Sequence, residues 1–249
     1  MENSTPTKNE DIVIKSFDEY LERINILDVF TKIGNKAILF RGQENSGWKL
    51  IPGLGRPPYF RPEIEKYEKK ILVEFKRRAV PFLPKTFNIS SDWEWLALAQ
   101  HHKLPTRLLD WTENPLVALY FAFEFPKIEN TDRAVWIFGA GEDEFAESSN
   151  SELSPFSLQK TKIYIPNQIT QRITAQSGWF TVHKYIQGQD KFIAFNKNKT
   201  YRQRVFKMVL ANELRDPILF RLDRLGINSF SIYTDLDGLS KYLAWKHFK

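Results

Sequence analysis

The 249-residue sequence contains no cysteine. It therefore has no disulfide framework, no thiol nucleophile and no cysteine zinc site. Long apolar runs are also missing: the longest, Leu116–Phe123, is less than half of the ~20 residues that a membrane-spanning helix needs. The N-terminal residues are polar and lack the apolar centre of a secretory signal. We expect a cytoplasmic protein without a membrane segment.

Several catalytic and nucleotide-binding motifs are missing as well. The sequence has no GxxxxGK[ST], no GxGxxG, no HExxH and no GxSxG. Among the four histidines, His101 and His102 are adjacent and the other two are isolated. Adjacent positions on a helix point about 100° apart, a poor arrangement for chelating one ion. No metal site is expected.

What is present is a moderately basic chain with the composition of a globular protein. It has 36 Lys and Arg against 30 Asp and Glu, and 42% of its residues are hydrophobic. A net charge of +6 permits attraction to a polyanion but is also an ordinary solubility feature. The basic residues concentrate in two stretches, 69–78 and 197–207, which are either a nucleic-acid surface or solvated faces of a helix and a loop.

The periodicity of the apolar residues predicts an α+β fold. Helices dominate the first half, strands cluster in the second, and there is no regular βαβ alternation. Residues 1–15 are predicted to form a flexible arm and residues 16–249 a single domain. Predicted helices cover 16–34, 62–80, 92–102, 116–125, 214–226 and 239–247. Predicted strands cover 37–40, 108–109, 133–138, 162–165, 179–182, 192–195, 205–210 and 229–233.

Three segments carry more polar and aromatic residues than a plain scaffold needs. In the first, Arg41 and Gly42 follow an apolar strand, where arginine offers a fork of donors and glycine permits close approach of a ligand. The alternative is a surface arginine beside a turn glycine.

The second segment, residues 100–115, lies between an amphipathic helix and a wholly apolar one. Polar groups at such a place must find partners or line a pocket. Arg107 and Asp110 are a potential buried ion pair, and Thr112 or Asn114 a potential helix cap. The third segment, residues 172–183, places Gln176 before an aromatic strand. It is either a ligand-binding amide or a turn.

Together these segments resemble the FRG family, named after its Phe/Tyr-Arg-Gly motif. The resemblance spans roughly residues 17–245. It is carried by Phe40-Arg41-Gly42 with Trp48, Leu50, Pro52 and Arg56; by residues 101–112 with Asn114-Pro115; by Arg172-Ile173 with Gln176-Ser177-Gly178; and by 225–227 and 235–239. Tyr233-Thr234 departs from the Phe-Pro expected there.

The order of these motifs is similar to that of ADP-ribosyltransferases, in which an Arg or His on a first strand precedes a Ser/Thr segment and a later catalytic Glu. The resemblance implies a mainly helical N-terminal half packed on a mixed or antiparallel split β-sheet, with NAD as substrate. The implied catalytic residues are Arg41, Asp110 and Gln176. The implied NAD-binding residues are Arg41, Gly42, Arg107, Trp111, Thr112 and Trp179.

Each role has a chemical reason. Breaking the nicotinamide–ribose bond passes through an oxocarbenium-like state that needs an amide clamp, a cation for phosphate or ribose, and an acid near the ribose. The Gly42 backbone would clamp the amide, Arg41 would bind phosphate or ribose, and Trp111 or Trp179 would stack on nicotinamide. Gln176 stands where a Glu is expected, and an amide is no general base. Either Asp110 or another acid then takes that role, or catalysis is lost and only ligand binding remains.

Three functions stay open at this point. The first is an NAD-consuming enzyme that transfers ADP-ribose to a protein or nucleic acid, or hydrolyses NAD, as a bacterial or phage toxin or anti-phage defence effector. The second is a non-catalytic nucleotide-binding sensor. The third is a basic nucleic-acid-binding protein.

Overall fold

The computed structural model describes residues 11–31, 36–84, 89–126, 131–146, 154–166, 178–189 and 191–248. Its helices are α1 (Phe17–Thr31), α2 (Ile64–Ala79), α3 (Asp92–His101), α4 (Pro115–Phe123), α5 (Arg215–Arg224), α6 (Ser229–Tyr233) and α7 (Leu236–His247). Its strands are β1 (Ile12–Ile14), β2 (Ala37–Gln43), β3 (Leu108–Thr112), β4 (Arg133–Ala140), β5 (Lys162–Tyr164), β6 (Gly178–Val182), β7 (Tyr185–Ile186), β8 (Lys191–Phe192) and β9 (Val205–Leu210).

Seven of these strands form one mixed sheet in the order β1-β9-β4-β2-β3-β6-β5. Only the β1–β9 pair is parallel, and all other neighbours in this sheet are antiparallel. Helices and a mixed sheet in one structure confirm the α+β prediction. The first half of the chain also supplies β1, β2 and β3, so helices do not account for it alone.

The sheet is nearly divided between β2 and β3. Strand β2 pairs with β4 along its whole length, from Ala37 to Gln43. Strand β3 likewise pairs with β6 from Leu108 to Thr112. Between β2 and β3 the described register contains the single pair Phe40↔Thr112. Two continuous parts of the sheet therefore meet at one position and leave a gap beside it.

Apolar side chains cover both faces of the sheet. On one face, α1, α4, α5 and α6 pack against β2, β4 and β9. On the other face, Leu50, Phe195 and Tyr201 from irregular segments cover β2, β3 and β4. Helices α2 and α3 pack against β3, β5 and β6. The gap between β2 and β3 is thus surrounded by fixed elements.

Helix α4 is central because its sequence leaves no polar face to expose. The side chain of Asn114 accepts hydrogen bonds from the backbone N–H groups of Leu116 and Val117, at 2.9 and 3.3 Å, and Pro115 occupies the first turn. Most of the following side chains are buried. The cap confirms the predicted start of this helix.

Two predicted strands differ in the structure. The prediction of a strand at Ser229–Tyr233 was wrong: the segment is α6, because the Asn228 side chain caps it at the N–H groups of Phe230 and Ser231. The strand predicted at 192–195 is shorter. It ends at Phe192, and a 3-10 turn begins at Phe195.

The predicted N-terminal arm contains a strand. Ile12–Ile14 forms β1 at the sheet edge, parallel to β9, and Ile14 is buried. No helix in the described parts of the chain has the length and apolarity to cross a membrane.

Candidate functional site

A cleft of about 360 Å³ opens where β2 and β3 part. This volume lies at the lower end of the ~300–1,000 Å³ range of small-molecule pockets. The lining side chains come from β2, α3, β3, α4 and β6 and from the segment after β2. They are Phe40, Arg41, Gly42, Gln43, Glu44, Trp48, Arg56, Gln100, His101, Lys103, Asp110, Trp111, Thr112, Phe121, Glu124, Phe125, Gly178 and Phe180.

An ion pair bridges the gap in the sheet. Nη1 of Arg41 on β2 donates to the backbone oxygen of Asp110 on β3 at 2.7 Å and lies 3.3 Å from its Oδ2. The Arg41 side chain is 16% exposed and that of Asp110 53%. The carboxylate therefore remains accessible from the cleft while the guanidinium is held at its wall.

A second group holds the Asp110 carboxylate. Nε2 of Gln100 on α3 donates to both carboxylate oxygens at 3.1 Å. The hydroxyl of Thr106 donates to Oε1 of Gln100 at 2.7 Å and so fixes which way the amide points. Asp110 is consequently positioned from α3 as well as from β2.

Arg56 adds a second guanidinium to this end of the cleft. Its Nε donates to the Ile51 carbonyl at 2.5 Å. Burial and, to a smaller extent, the nearby Arg41 charge lower the pKa of Arg56 to about 10, while Asp110 opposes the shift. Two positive groups beside one carboxylate leave a surplus of positive charge, which favours an anionic ligand.

Aromatic rings and the acids Glu44 and Glu124 line the rest of the cleft. Trp48 is 42% exposed, and Phe125 after α4 is also exposed, so both present apolar surface to a ligand. Glu124 is buried and accepts from Lys241 Nζ at 2.6 Å and from the Tyr233 hydroxyl. Its charge is balanced by that lysine.

Gly42 lines the cleft, but close packing explains why it is glycine. A Cβ atom there would lie 2.0 Å from the backbone oxygen of Ala118 and 2.5 Å from the backbone nitrogen of Ala122. Strand β2 and helix α4 can touch only without that atom. The glycine makes room for a helix, where the sequence suggested room for a ligand.

Thr112 is buried at the end of β3. Its Oγ1 accepts from the backbone N–H of Asn114 at 3.1 Å, a local bond that leads into the cap of α4. Thr112 borders the cleft and also shapes the turn.

The two tryptophans assigned to nicotinamide stacking pack into the apolar cluster that covers β2, β3 and β4. The Trp111 residue is 2% exposed, its ring packs against Phe138 and Phe195, and its Nε1 donates to Thr181 Oγ1 at 3.0 Å. Trp179 packs against Phe145 at 5.6 Å between ring centroids and is not among the cleft residues. Trp111 borders the cleft, but its ring is buried in this packing, whereas the half-exposed Trp48 presents its indole to the cleft.

Arg107 is a buried structural residue, 1% exposed, and does not line the cleft. Its Nε and Nη2 donate to Oε2 of Glu68 at 2.9 and 2.7 Å, its Nη2 also lies 3.4 Å from Glu65, and its Nη1 donates to the Pro155 carbonyl at 3.1 Å. The potential ion pair with Asp110 does not form. Glutamates of α2 take the guanidinium instead.

The third predicted segment lies partly outside the described residues, Arg172 and Gln176 included. Of its described part, Gly178 and Phe180 line the cleft. Within the described ranges no group of three or more His, Asp or Glu side chains is placed to hold a metal ion.

The cleft residues that received no role from the sequence include Gln43, Trp48, Arg56 and Gln100. All four lie within the first two segments singled out above or their flanks. The available signal was their position in those motifs. Their residue types alone, which include two glutamines, do not indicate a ligand-binding site.

Comparison with known proteins gives a family match and no individual relative. Neither the curated proteins nor the solved structures include a match to the chain. The model of the FRG domain matches residues 36–131, a narrower span than the resemblance traced over 17–245. The matched span runs from the start of β2 past the end of α4, and it contains Arg41, Arg56, Gln100 and Asp110. An FRG domain is thereby identified at residues 36–131.

Proposed function

We propose that the chain is an NAD-consuming enzyme of the ADP-ribosyltransferase type. It binds NAD in the cleft between β2 and β3 and transfers ADP-ribose to a macromolecule or to water. One observation carries the proposal: Arg41, Arg56 and Asp110 converge in the gap of a nearly divided sheet. A split sheet of the ADP-ribosyltransferase type is the finer fold that this proposal requires, and the single β2–β3 pair supports it.

The charged side chains of the cleft suit two parts of NAD, its diphosphate and the ribose that bears nicotinamide. The guanidinium groups of Arg41 and Arg56 match the oxygens of a diphosphate. The exposed Asp110 carboxylate is the acid best placed to face the ribose. There it would stabilise positive charge that develops on the ring as the C1′–N bond breaks.

Atoms and charges balance with NAD and the acceptor as the two reactants. The electron pair of the C1′–N bond leaves with nicotinamide, which departs neutral because the bound pyridinium carried a positive charge. An oxygen or nitrogen of the acceptor forms the new bond to C1′ and loses its proton. Asp110 is the candidate base for that proton.

Aromatic contact would come from Trp48. Its half-exposed indole borders the cleft, so it can stack on a flat ring such as nicotinamide or adenine. This role replaces the one that the sequence suggested for Trp111 or Trp179.

A second candidate function, a nucleotide sensor without turnover, is favoured by one contact set. Arg41 and Gln100 already donate to the Asp110 carboxylate, and these donors offset its charge. A carboxylate neutralised in this way supports a ribose cation less. A sensor would bind NAD in the same cleft and release no nicotinamide.

One experiment separates the NAD-consuming enzyme from the nucleotide sensor. Purified protein is incubated with NAD, and free nicotinamide is measured with and without cell extract as a source of acceptors. We expect Asp110→Asn to lower nicotinamide release at least ~100-fold and to leave ADP-ribose affinity within a few-fold, because the carboxylate acts on the transition state. Arg41→Ala should weaken binding itself.

Arg224→Ala is the matched control, since it removes an equally charged but exposed side chain that lines none of the described cavities. Binding of NAD without any nicotinamide release by the wild-type protein would establish the sensor and reject the enzyme. Absence of NAD binding would reject both.

A further inference from the structure

Two buried donors on β2 make no hydrogen bond within the described parts of the chain. They are Nε of Arg41 and Nε2 of Gln43. The two residues are separated by one position, so their side chains lie on the same face of the strand, side by side. Both residues line the cleft. Buried polar groups in native proteins almost always have a partner, so two neighbouring exceptions at one cavity point to a ligand.

The orientation of the Gln43 amide is fixed by a neighbour. Nε1 of Trp136 on β4 donates to Oε1 of Gln43 at 2.7 Å. An indole nitrogen can only donate, so it must meet the amide oxygen and leave the amide N–H₂ group on the other side. Trp136 is held opposite Arg41 in the β2–β4 register and is itself buried.

We infer that Gln43 is a ligand-binding residue whose side-chain amide donates to an oxygen of the ligand's diphosphate, and that Trp136 is the positioning residue that presents this amide. The choice of a diphosphate rests on the proposed function. The need for an oxygen acceptor follows from the unpartnered donor alone.

The surroundings select the kind of acceptor. Gln43 is 3% exposed, so its amide cannot be satisfied by bulk solvent. Next to it stands the unpartnered Nε of Arg41, and Arg56 adds a second positive charge to the same cleft. Donors and cations together fit an oxygen-rich anion, and a diphosphate supplies two adjacent acceptors.

The test uses ADP-ribose, which has the diphosphate but no nicotinamide bond to break. Its affinity is measured by calorimetry, with adenosine as the ligand that lacks the diphosphate. Gln43→Leu removes the donor but leaves the Trp136 indole without an acceptor. The double variant Gln43→Leu with Trp136→Phe removes both partners, which folded proteins tolerate better.

We expect the double variant to bind ADP-ribose at least roughly tenfold more weakly and adenosine unchanged. Gln203→Leu, at an exposed glutamine that lines none of the described cavities, is the matched control and should bind both ligands normally. Unchanged affinity for ADP-ribose, or an equal loss for adenosine, would overturn the inference.

The role of Trp136 has its own readout. If it acts through Gln43, Trp136→Phe weakens ADP-ribose binding in the wild-type background and has no further effect in the Gln43→Leu background. Additive losses would overturn the positioning role.

These outcomes separate the inference from the proposed reaction. A protein that binds ADP-ribose through Gln43 yet releases no nicotinamide would refute the reaction and leave the inference standing. A protein that cleaves NAD while its Gln43 variants bind ADP-ribose normally would refute the inference alone.

Discussion

At the scale of single residues, contact with neighbours decides what each side chain does. Arg41 and Arg107 are the same residue type, and both adjoin an apolar segment: Arg41 follows one and Arg107 precedes one. Arg41 reaches into the cleft beside one carboxylate, whereas Arg107 is enclosed by two glutamates and a backbone oxygen. The first is available to a ligand, and the second holds α2 against β3.

Gly42 yields a stability prediction. We expect Gly42→Ala to lower the free energy of unfolding by about 3 kcal/mol or more, because the new Cβ would collide with backbone atoms of α4 that cannot rotate away. Urea unfolding measures the change. Gly188→Ala is the matched control: a Cβ there meets nothing within 4 Å, so its effect should stay within about 1 kcal/mol. Equal stabilities of the two variants would contradict this explanation of Gly42.

A buried histidine predicts part of the pH dependence. The Thr181 hydroxyl, which accepts from Trp111, lies 3.0 Å from Nε2 of His183. Burial, together with the smaller effect of the charges of Arg41, Arg107 and Arg56, lowers the pKa of His183 to about 3. Because this folded-state pKa lies below the unfolded value of ~6.5, the unfolded chain binds one more proton. The contribution of His183 to the free energy of unfolding is therefore complete above pH ~6.5 and is lost as the pH falls towards 3.

Well below pH 6.5, His183 should change the free energy of unfolding by about 1.4 kcal/mol per pH unit. His183→Gln keeps a polar partner for Thr181 but does not titrate. Between pH 7 and pH 5 we therefore expect its unfolding free energy, measured in urea, to change less than that of the wild type. Parallel pH profiles would show that His183 does not supply the slope.

At the scale of elements, charge pairing helps to decide which side chains of helix α2 are buried. Tyr67 and Ile71 are partly exposed, while Glu65 and Glu68 are buried. The two carboxylates face inwards because Arg107 at the start of β3 meets them, and the Gln187 side chain donates to Glu65 at 3.1 Å. An ion pair, together with Leu72, therefore docks this helix.

Removing that arginine should be costly. We expect Arg107→Leu to lower the free energy of unfolding by about 3–5 kcal/mol, because it leaves two buried carboxylates without their cation. Adding Glu68→Leu should recover part of the loss, since the uncompensated charge then disappears. Urea unfolding of both variants provides the test. A double variant less stable than the single one would argue against uncompensated charge as the cause.

At the scale of the whole molecule, the cleft exists because the sheet is continuous on either side of one junction. The β4–β2 and β3–β6 pairs are long, and the β2–β3 register holds one pair. A ligand bound there contacts both parts of the sheet, together with α3 and α4. Binding should therefore stabilise elements that are far apart in sequence.

Amide hydrogen exchange measures whether a bound ligand stabilises β2 and β3 together. With ADP-ribose at about 100 times its dissociation constant, we expect the unfolding free energy to rise by about 2.7 kcal/mol and amide exchange to slow in β2 and β3 together. Arg41→Ala, with its bridge across the gap removed, should show neither effect at the same concentration. Protection of β3 without β2 would place the ligand outside the junction.

The sequence by itself determined most elements, several helix starts and the two segments that meet at the cleft. Capping side chains and apolar periodicity act over a few residues, so the Ser91 cap of α3, the Asn114 cap of α4 and the apolar run after Asn114 could be interpreted locally. The same local interpretation failed at Ser229–Tyr233, where apolar residues suggested a strand and the Asn228 cap produced a helix.

Only the tertiary structure decided which charged and aromatic groups face the cleft. Arg107 meets glutamates 39 and 42 residues away, and Arg41 meets Asp110 across 69 residues. Trp111 turns into the core because its indole finds Thr181 on the neighbouring strand. Such partners are chosen by strand register and helix docking, and no spacing along the chain encodes them.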